Sequence, residues 1–464
     1  MRAPLLVAAA FLGTSLAAWA PSIGEPDVTS LPLDVQQTEI RTSIGAGSGR
    51  LPRLAIPAFI TTVADAELQE AARTLADVLW KDLEFEREFQ MISPEGAQQI
   101  PAAPAEALPY DSWNQVGADD VLVGSVRRVD ANLQLDVRVM NVERRVSTFG
   151  RRYTCSLRGV RLCAHTIADA LHKERFGLDG VARTKLAFTS DRDGDRLGGT
   201  IEARSVKEVY VSDYDGFRAS RVTTRGSLNL APAWAPDSRA IVYQSHQSGF
   251  VDIYVQTLYE VQTQLARPAR GTDRTQNFLP DWSPDGKRIA YASSHDGNWD
   301  IYIVNVNGSD MRRLTSDPGI DSVPTWSPNG RQIAFTSNRG GSNQVYMMSA
   351  DGGPVTTLTS EPQRADRLTW VGGYVVYSAA TVDDRVEIKR IDMGTRQVDQ
   401  LTEGYSNESP TVAPNGRHIA FVTTRWGNEQ VAVMDIDGKH IRQVTSVGNN
   451  RFPNWSSSPR SEVK

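Results

Sequence analysis

Along the second half of the chain one pattern of apolar and polar positions recurs. Trp282-Ser283-Pro284-Asp285-Gly286 returns as Trp326-Ser327-Pro328-Asn329-Gly330. Weaker copies are Trp234-Ala235-Pro236-Asp237, Val412-Ala413-Pro414-Asn415-Gly416 and Trp455-Ser456-Ser457-Ser458-Pro459, and Trp370-Val371-Gly372-Gly373 fills the remaining slot. The anchors at 234, 282, 326, 370, 412 and 455 stand 42 to 48 residues apart, the length of one four-stranded propeller blade. After each turn comes a β-prone run such as Ile289-Ala290-Tyr291 or Ile333-Ala334-Phe335. A second run of the type Asp300-Ile301-Tyr302-Ile303, a Gly turn such as Asn307-Gly308 and a short last strand such as Arg313-Leu314-Thr315 complete it. Strands joined by tight Gly turns make an antiparallel meander, and the residues leading into each anchor supply the innermost strand. Leu186-Ala187-Phe188-Thr189-Ser190 has no anchor before it, and Trp455 has no strand after it. The two ends are therefore expected to complete one blade and close a six-bladed ring without exposed sheet edges.

Residues 50–178 follow other periods. Leu54–Phe59 and Phe89–Ile92 are short apolar runs. Leu68, Ala71, Ala72, Leu75, Val78 and Leu79 lie on one helical face over 66–83. Val121–Val126, Leu133–Val139 and Val146–Thr154 predict strands, and Leu162, Ile167 and Leu171 mark a helix over 162–173. The expected architecture is an α/β N-terminal domain (50–178) followed by an all-β six-bladed β-propeller (182–459). The Trp and Tyr repeats serve packing between blades.

Ahead of both, Arg2 precedes an apolar run from Leu5 to Leu16 and then Ala17-Ala18-Trp19-Ala20. That is the layout of a secretory signal over 1–20, with cleavage after Ala17 or Ala20, and it is too short to span a bilayer. Residues 21–49 are rich in Ser, Thr, Pro and Gly without a core pattern, and read as an extended arm. Export brings Cys155 and Cys163, the chain's 2 cysteines, into an oxidising compartment; they form either a disulfide or two semi-buried thiols. A formal net charge of −5 and a pI near 5.8 supply no basic footprint for nucleic acid.

Catalytic chemistry finds little support. Propellers of this repeat type also occur in serine peptidases, but those need Gly-x-Ser-x-Gly at a strand–helix elbow, and the chain has none; Gly47-Ser48-Gly49 lies in the arm with the wrong spacing. No His-Glu-x-x-His is present. His165 reads as a hydrogen-bonded packing residue, and His246 and His295 fall in blade turns. Asp191-Arg192-Asp193-Gly194-Asp195 lacks the ligand spacing and closing Glu of a calcium loop and reads as a hairpin turn. The expectation is a non-enzyme with no cofactor and no metal site.

The chain resembles the TolB family of periplasmic Tol–Pal components. The likeness is carried by Glu39-Ile40-Arg41 leading through Gly45–Gly49 into Ile56-Pro57-Ala58-Phe59, by Cys163-Ala164-His165-Thr166-Ile167-Ala168-Asp169, by Arg183–Phe188, by Val211-Ser212-Asp213-Tyr214-Asp215-Gly216 and by Phe452-Pro453-Asn454-Trp455-Ser456. It implies a periplasmic, monomeric interaction protein with two partner surfaces. The segment Glu39, Ile40, Arg41, Thr42, Ser43 and Ile44 would offer TolA an added β-strand; the arm before it, 21–38, is longer than the family's. The lipoprotein Pal would take one propeller mouth, where Asn229, Gln276, Asn277, Asp321, Ser322, Asn407 and Arg451 precede the anchors. Gln276 stands where a family member carries His. The alternative is an exported propeller hydrolase or a peptide- or sugar-binding sensor.

Overall fold

The N-terminal domain is built on a strand order that only tertiary contacts create. β1 (Arg53–Ala55), β2 (Ile60–Thr61), β3 (Gln90–Met91), β4 (Asp120–Val129), β5 (Asn132–Asn141) and β6 (Val146–Ser156) form one sheet, in the order β3-β1-β4-β5-β6, with β2 also on β4. The run expected over Leu54–Phe59 divides into β1 and β2 around Pro57, which has no N–H to give a ladder. Helix α1 (Ala66–Glu86) starts where the Asp65 side chain accepts the N–H groups of Glu67 and Leu68, an N-cap that supplies two orphan donors with an acceptor. The short α2 (Pro94–Gln98), which periodicity does not reveal, begins with a Ser93 cap and Pro94 in its first turn. After α3 (Tyr110–Gln115) and the β4–β6 meander, α4 (Val160–Phe176) runs to Gly177, whose φ of 72° ends it. Helices α1 and α4 cover one sheet face with Leu68, Leu75, Leu79, Ile167 and Leu171. The segment from Ile92 to Ala118 covers part of the other, around a fully buried Trp113.

This computed structural model describes residues 50–195, 206–258, 275–360, 364–381, 383 and 385–458. The expected signal over 1–20, the arm over 21–49 and its segment Glu39–Ile44 lie outside the described residues.

Six sheets make the propeller. Blade 1 has strands Asn229–Trp234, Ala240–Ser245 and Asp252–Thr257; blade 2 runs from Asn277 to Arg313, blade 3 from Asp321 to Thr357, blade 4 from Ala365 to Gln400 and blade 5 from Asn407 to Gln443. Blade 6 is composite: Asn450–Trp455 pairs antiparallel with Lys185–Ser190, which pairs with Glu208–Asp213. The ring thus closes through the chain ends, as the unmatched segments predicted. Trp455 Nε1 donates to Thr184 Oγ1 across this seam at 2.7 Å.

Each innermost strand bends at one residue, three before its anchor. Ala231, Leu279, Val323, Arg367, Ser409 and Phe452 all have positive φ, from 34° to 55°, where the strand's register shifts. Such bulges re-aim a strand, here around the channel. A non-Gly residue in this region carries a cost of order 1 kcal/mol, met at all six positions by the packing of neighbouring blades. Proline follows the bend in five blades; blade 4 has Leu368 instead.

Candidate functional site

All innermost strands enter from one face of the propeller, the mouth, and end at the anchor turns on the other. At the mouth the structure corrects part of the sequence reading. Asn229, Asn277, Asp321 and Asn407 are buried rather than presented to a partner. Asn229 Nδ2 donates to Glu208 at 2.6 Å, Asn277 to Asp252 at 3.2 Å and Asn407 to Glu387 at 2.9 Å, in each case joining an innermost strand to the third strand of the preceding blade. Asp321 is paired with Arg339 at 2.9 Å. A carboxamide at this position satisfies buried groups between blades, so it serves the ring. Gln276 is exposed, while Ser322 and Arg451 are half-buried. Ser322 Oγ lies 2.9 Å from Thr336 Oγ1, and Arg451 is paired with Glu429.

The mouth carries an apolar rim that the polar reading missed. Phe250 lies in the loop between the second and third strands of blade 1 and Trp426 ends the second strand of blade 5; Ile320, Tyr405 and Val447 lie in loops leading into innermost strands. All five are 40–57% exposed. Below them a channel cavity of about 100 Å³ is lined by the bend residues and those that follow, among them Pro232, Pro280, Pro324, Pro410 and Pro453. Side chains one residue before the anchors bind laterally: Asn454 accepts from Trp234 N, Asp281 from Trp326 N and Thr411 from Trp455 N, at 2.9, 2.9 and 3.1 Å. Burial pushes the Asp281 carboxyl up to about 6, although it accepts these hydrogen bonds.

At the opposite face the α/β domain docks on the turns of blades 5 and 6 through a buried ionic network. On α1, Asp82 and Glu86 continue the apolar stripe at four-residue spacing and are 1% and 4% exposed. Asp82 joins His165 Nδ1 and the Tyr214 hydroxyl, both at 2.8 Å. Burial holds its carboxyl above the usual range against those two partners. Glu86 accepts the Val181 N–H at 2.9 Å, and its second oxygen faces His418 Nε2 at 3.5 Å, Arg417 at 3.8 Å and His172 Nε2 at 3.9 Å. Burial opposes its ionisation, but these cations and hydrogen bonds hold it below the usual carboxylate range.

The two central histidines diverge. Burial would depress His418, yet Asp435 at 3.3 Å and Glu86 hold it above the ordinary histidine value. Phe85 stacks on its ring at 4.3 Å. His172 is depressed by burial, and its Nε2 lies 3.3 Å from Arg417 Nη1. Arg417 also pairs with Glu88, and Arg87 Nε lies 3.1 Å from Asp435. At the rim Arg161 pairs with Asp215 at 2.6 Å and lies over the Phe217 ring at 3.9 Å. His165 is thus a buried packing residue, as its place on the helix predicted. The sequence signal for the network was present: carboxylates interrupting an apolar stripe at positions 82 and 86, and histidines seven apart on α4.

Cys155 and Cys163 are bonded, fastening β6 to the first turns of α4 with Cα atoms 6.4 Å apart. Of the Asp191–Asp195 turn, Asp191 accepts Asn449 N at 2.7 Å, and Asp193 is taken by Tyr210 and Arg221.

Residues 176–459 match the TolB beta propeller domain and residues 40–148 the TolB amino-terminal domain. The Tol-Pal system protein TolB of Bordetella avium is 35% identical over 403 residues, 84% of this chain and 85% of that one. That of Desulfosudis oleivorans is 29% identical over 210 residues, 45% of each. The crystal structure of TolB from Acinetobacter baumannii superposes with a TM-score of 0.74 at 23% identity, over 88% of this chain and 98% of that one, and shows the same fold. With both domains matched and the propeller closed through the chain ends, the chain belongs to the TolB family of the Tol-Pal system.

Proposed function

We propose that this protein is a periplasmic adaptor that acts by binding, without turnover. Pal docks on the propeller mouth and TolA takes the segment Glu39–Ile44, so that the pair maintains outer-membrane integrity and supports invagination of the outer membrane at division. The observation that carries the reading is the asymmetry of the two faces. At one, the protein's own α/β domain occupies the turns of blades 5 and 6, and the other presents Phe250, Ile320, Tyr405, Trp426 and Val447 to solvent around a channel. Exposed aromatic and aliphatic side chains on a rigid ring, with polar Gln276 and Ser322 and the paired Arg451 among them, have the composition of a protein interface. Trp and Tyr are the residues that most often dominate such binding. In the sequence Gly45-Ala46-Gly47-Ser48-Gly49 separates Glu39–Ile44 from the α/β domain, a spacing that suits a strand donated to a foreign sheet edge.

The test is titration of the mature chain with the periplasmic domain of Pal, with and without residues 21–44. Trp426→Ala is expected to weaken Pal binding at least tenfold, and removal of the arm to change the Pal affinity. Absence of binding in every form would overturn the reading and direct attention to a hydrolase or a sensor.

A further inference from the structure

Five innermost strands place an uncharged side chain at the bend: Ala231, Leu279, Val323, Ser409 and Phe452. Blade 4 places Arg367 there, in the wall of the central channel. Blade 4 departs from the repeat in other ways. Leu368 replaces the proline, Val371-Gly372-Gly373 replaces the Pro-Asp-Gly turn, and its bulge skips one residue where the others skip two. Its irregularity therefore coincides with the cation.

Among the described residues the Arg367 guanidinium has no hydrogen bond and no ion pair. Its carbon stands 4.4 Å over the centre of the Phe452 ring. Charged neighbours are Asp366 and Glu408, which attract it, and Arg451, which repels it. None takes it up. Arg451 is held in a two-pronged pair by Glu429. Asp366 is exposed and turns one oxygen to the backbone N–H of Arg367 at 2.8 Å. Burial raises the Glu408 carboxyl, which weakens it as a counter-charge.

A guanidinium remains charged at any physiological pH and offers five donors in a planar fork. Half-buried in the channel wall and without an acceptor among the described residues, it is free to take one from outside the chain. The stacked Phe452 covers one face of the fork and leaves its edge for a planar, bidentate acceptor, which a carboxylate matches. We propose that Arg367 makes the central channel a carboxylate-binding site, with Phe452 orienting the guanidinium and Thr369, Thr411 and Asn454 in the surrounding wall. The cavity of about 100 Å³ admits a group of a few heavy atoms. The carboxylate is either that of a small free anion or that of an acidic side chain reaching in from the mouth.

Calorimetric titration of the mature chain at low chloride tests this, with acetate, with a blocked Gly-Glu-Gly peptide and with calcium chloride in separate runs. Saturable carboxylate binding is expected, at least tenfold weaker in Arg367→Gln and about threefold weaker in Phe452→Leu. Tighter binding of the peptide than of acetate assigns the site to a polypeptide side chain, and equal binding assigns it to free anions; both support the proposal. No carboxylate binding, equal binding by Arg367→Gln, or calcium binding in place of carboxylate would overturn it. Should Arg367→Gln fail to fold, wild-type crystals soaked in bromide decide: anomalous density beside the guanidinium supports the site, and its absence sinks it.

Discussion

The two faces of this propeller are built from the same repeat and differ in what their loops bury. At the anchor-turn face, carboxylates on α1 meet Arg417, His418 and Tyr214 in a network excluded from water. At the mouth, the same blades leave Trp426 at a strand end and Tyr405 in a loop exposed to solvent, while the polar residues beneath them fasten blade to blade. A buried ion pair adds little net stability but is costly to break from one side. An exposed apolar rim contributes little to folding and is available to a partner. The junction is thus fitted to hold one internal geometry and the mouth to be covered and uncovered.

Three perturbations sharpen that contrast. The largest effect is expected for Glu86→Ala. It leaves Arg417 and His418 without their shared counter-charge, and denaturant unfolding should show a loss of about 3–5 kcal/mol. A smaller, pH-dependent effect separates the two histidines. The folded value of His418 is raised, so its contribution is full below the unfolded value near 6.5 and fades as pH climbs through the folded one. The folded value of His172 is depressed, so stability falls as pH drops below 6.5 towards it. Melting temperatures from pH 5 to 8.5 should lose their alkaline decline in His418→Gln and have a shallower acid decline in His172→Gln. Identical profiles would show that the network does not titrate as its geometry requires. The smallest effect is expected at the mouth: Trp426→Ala should change stability by under about 0.5 kcal/mol, while Pal binding collapses. A large loss of stability there would make the rim structural.

Legibility followed the same division. The blades were readable because a repeat states its own period, and the seam because Lys185–Ser190 and Asn450–Trp455 each lacked what the other supplied. Asn229, Asn277 and Asn407 were placed at the start of the right strands. A carboxamide before an anchor looks the same in sequence whether it faces solvent or Glu208, Asp252 and Glu387, and only strand adjacency separates the two. The polar character of those loops also hid the apolar rim, whose members sit singly, far apart in the chain. Helix α2 escaped because five residues are too few to show a period.

Composition and periodicity by themselves determined the α/β domain, the six blades and the closure through the chain ends, since these depend on spacings a chain carries locally. Which charges share a site depended on distance in space. Glu86 meets His418 across 332 positions, and Arg367 meets Phe452 across the channel. Ionic and cation–π contacts leave no periodic trace in a sequence. The tertiary structure alone therefore decided which blades the α/β domain covers, where the apolar rim stands, and that the Arg367 guanidinium faces the channel without an acceptor among the described residues.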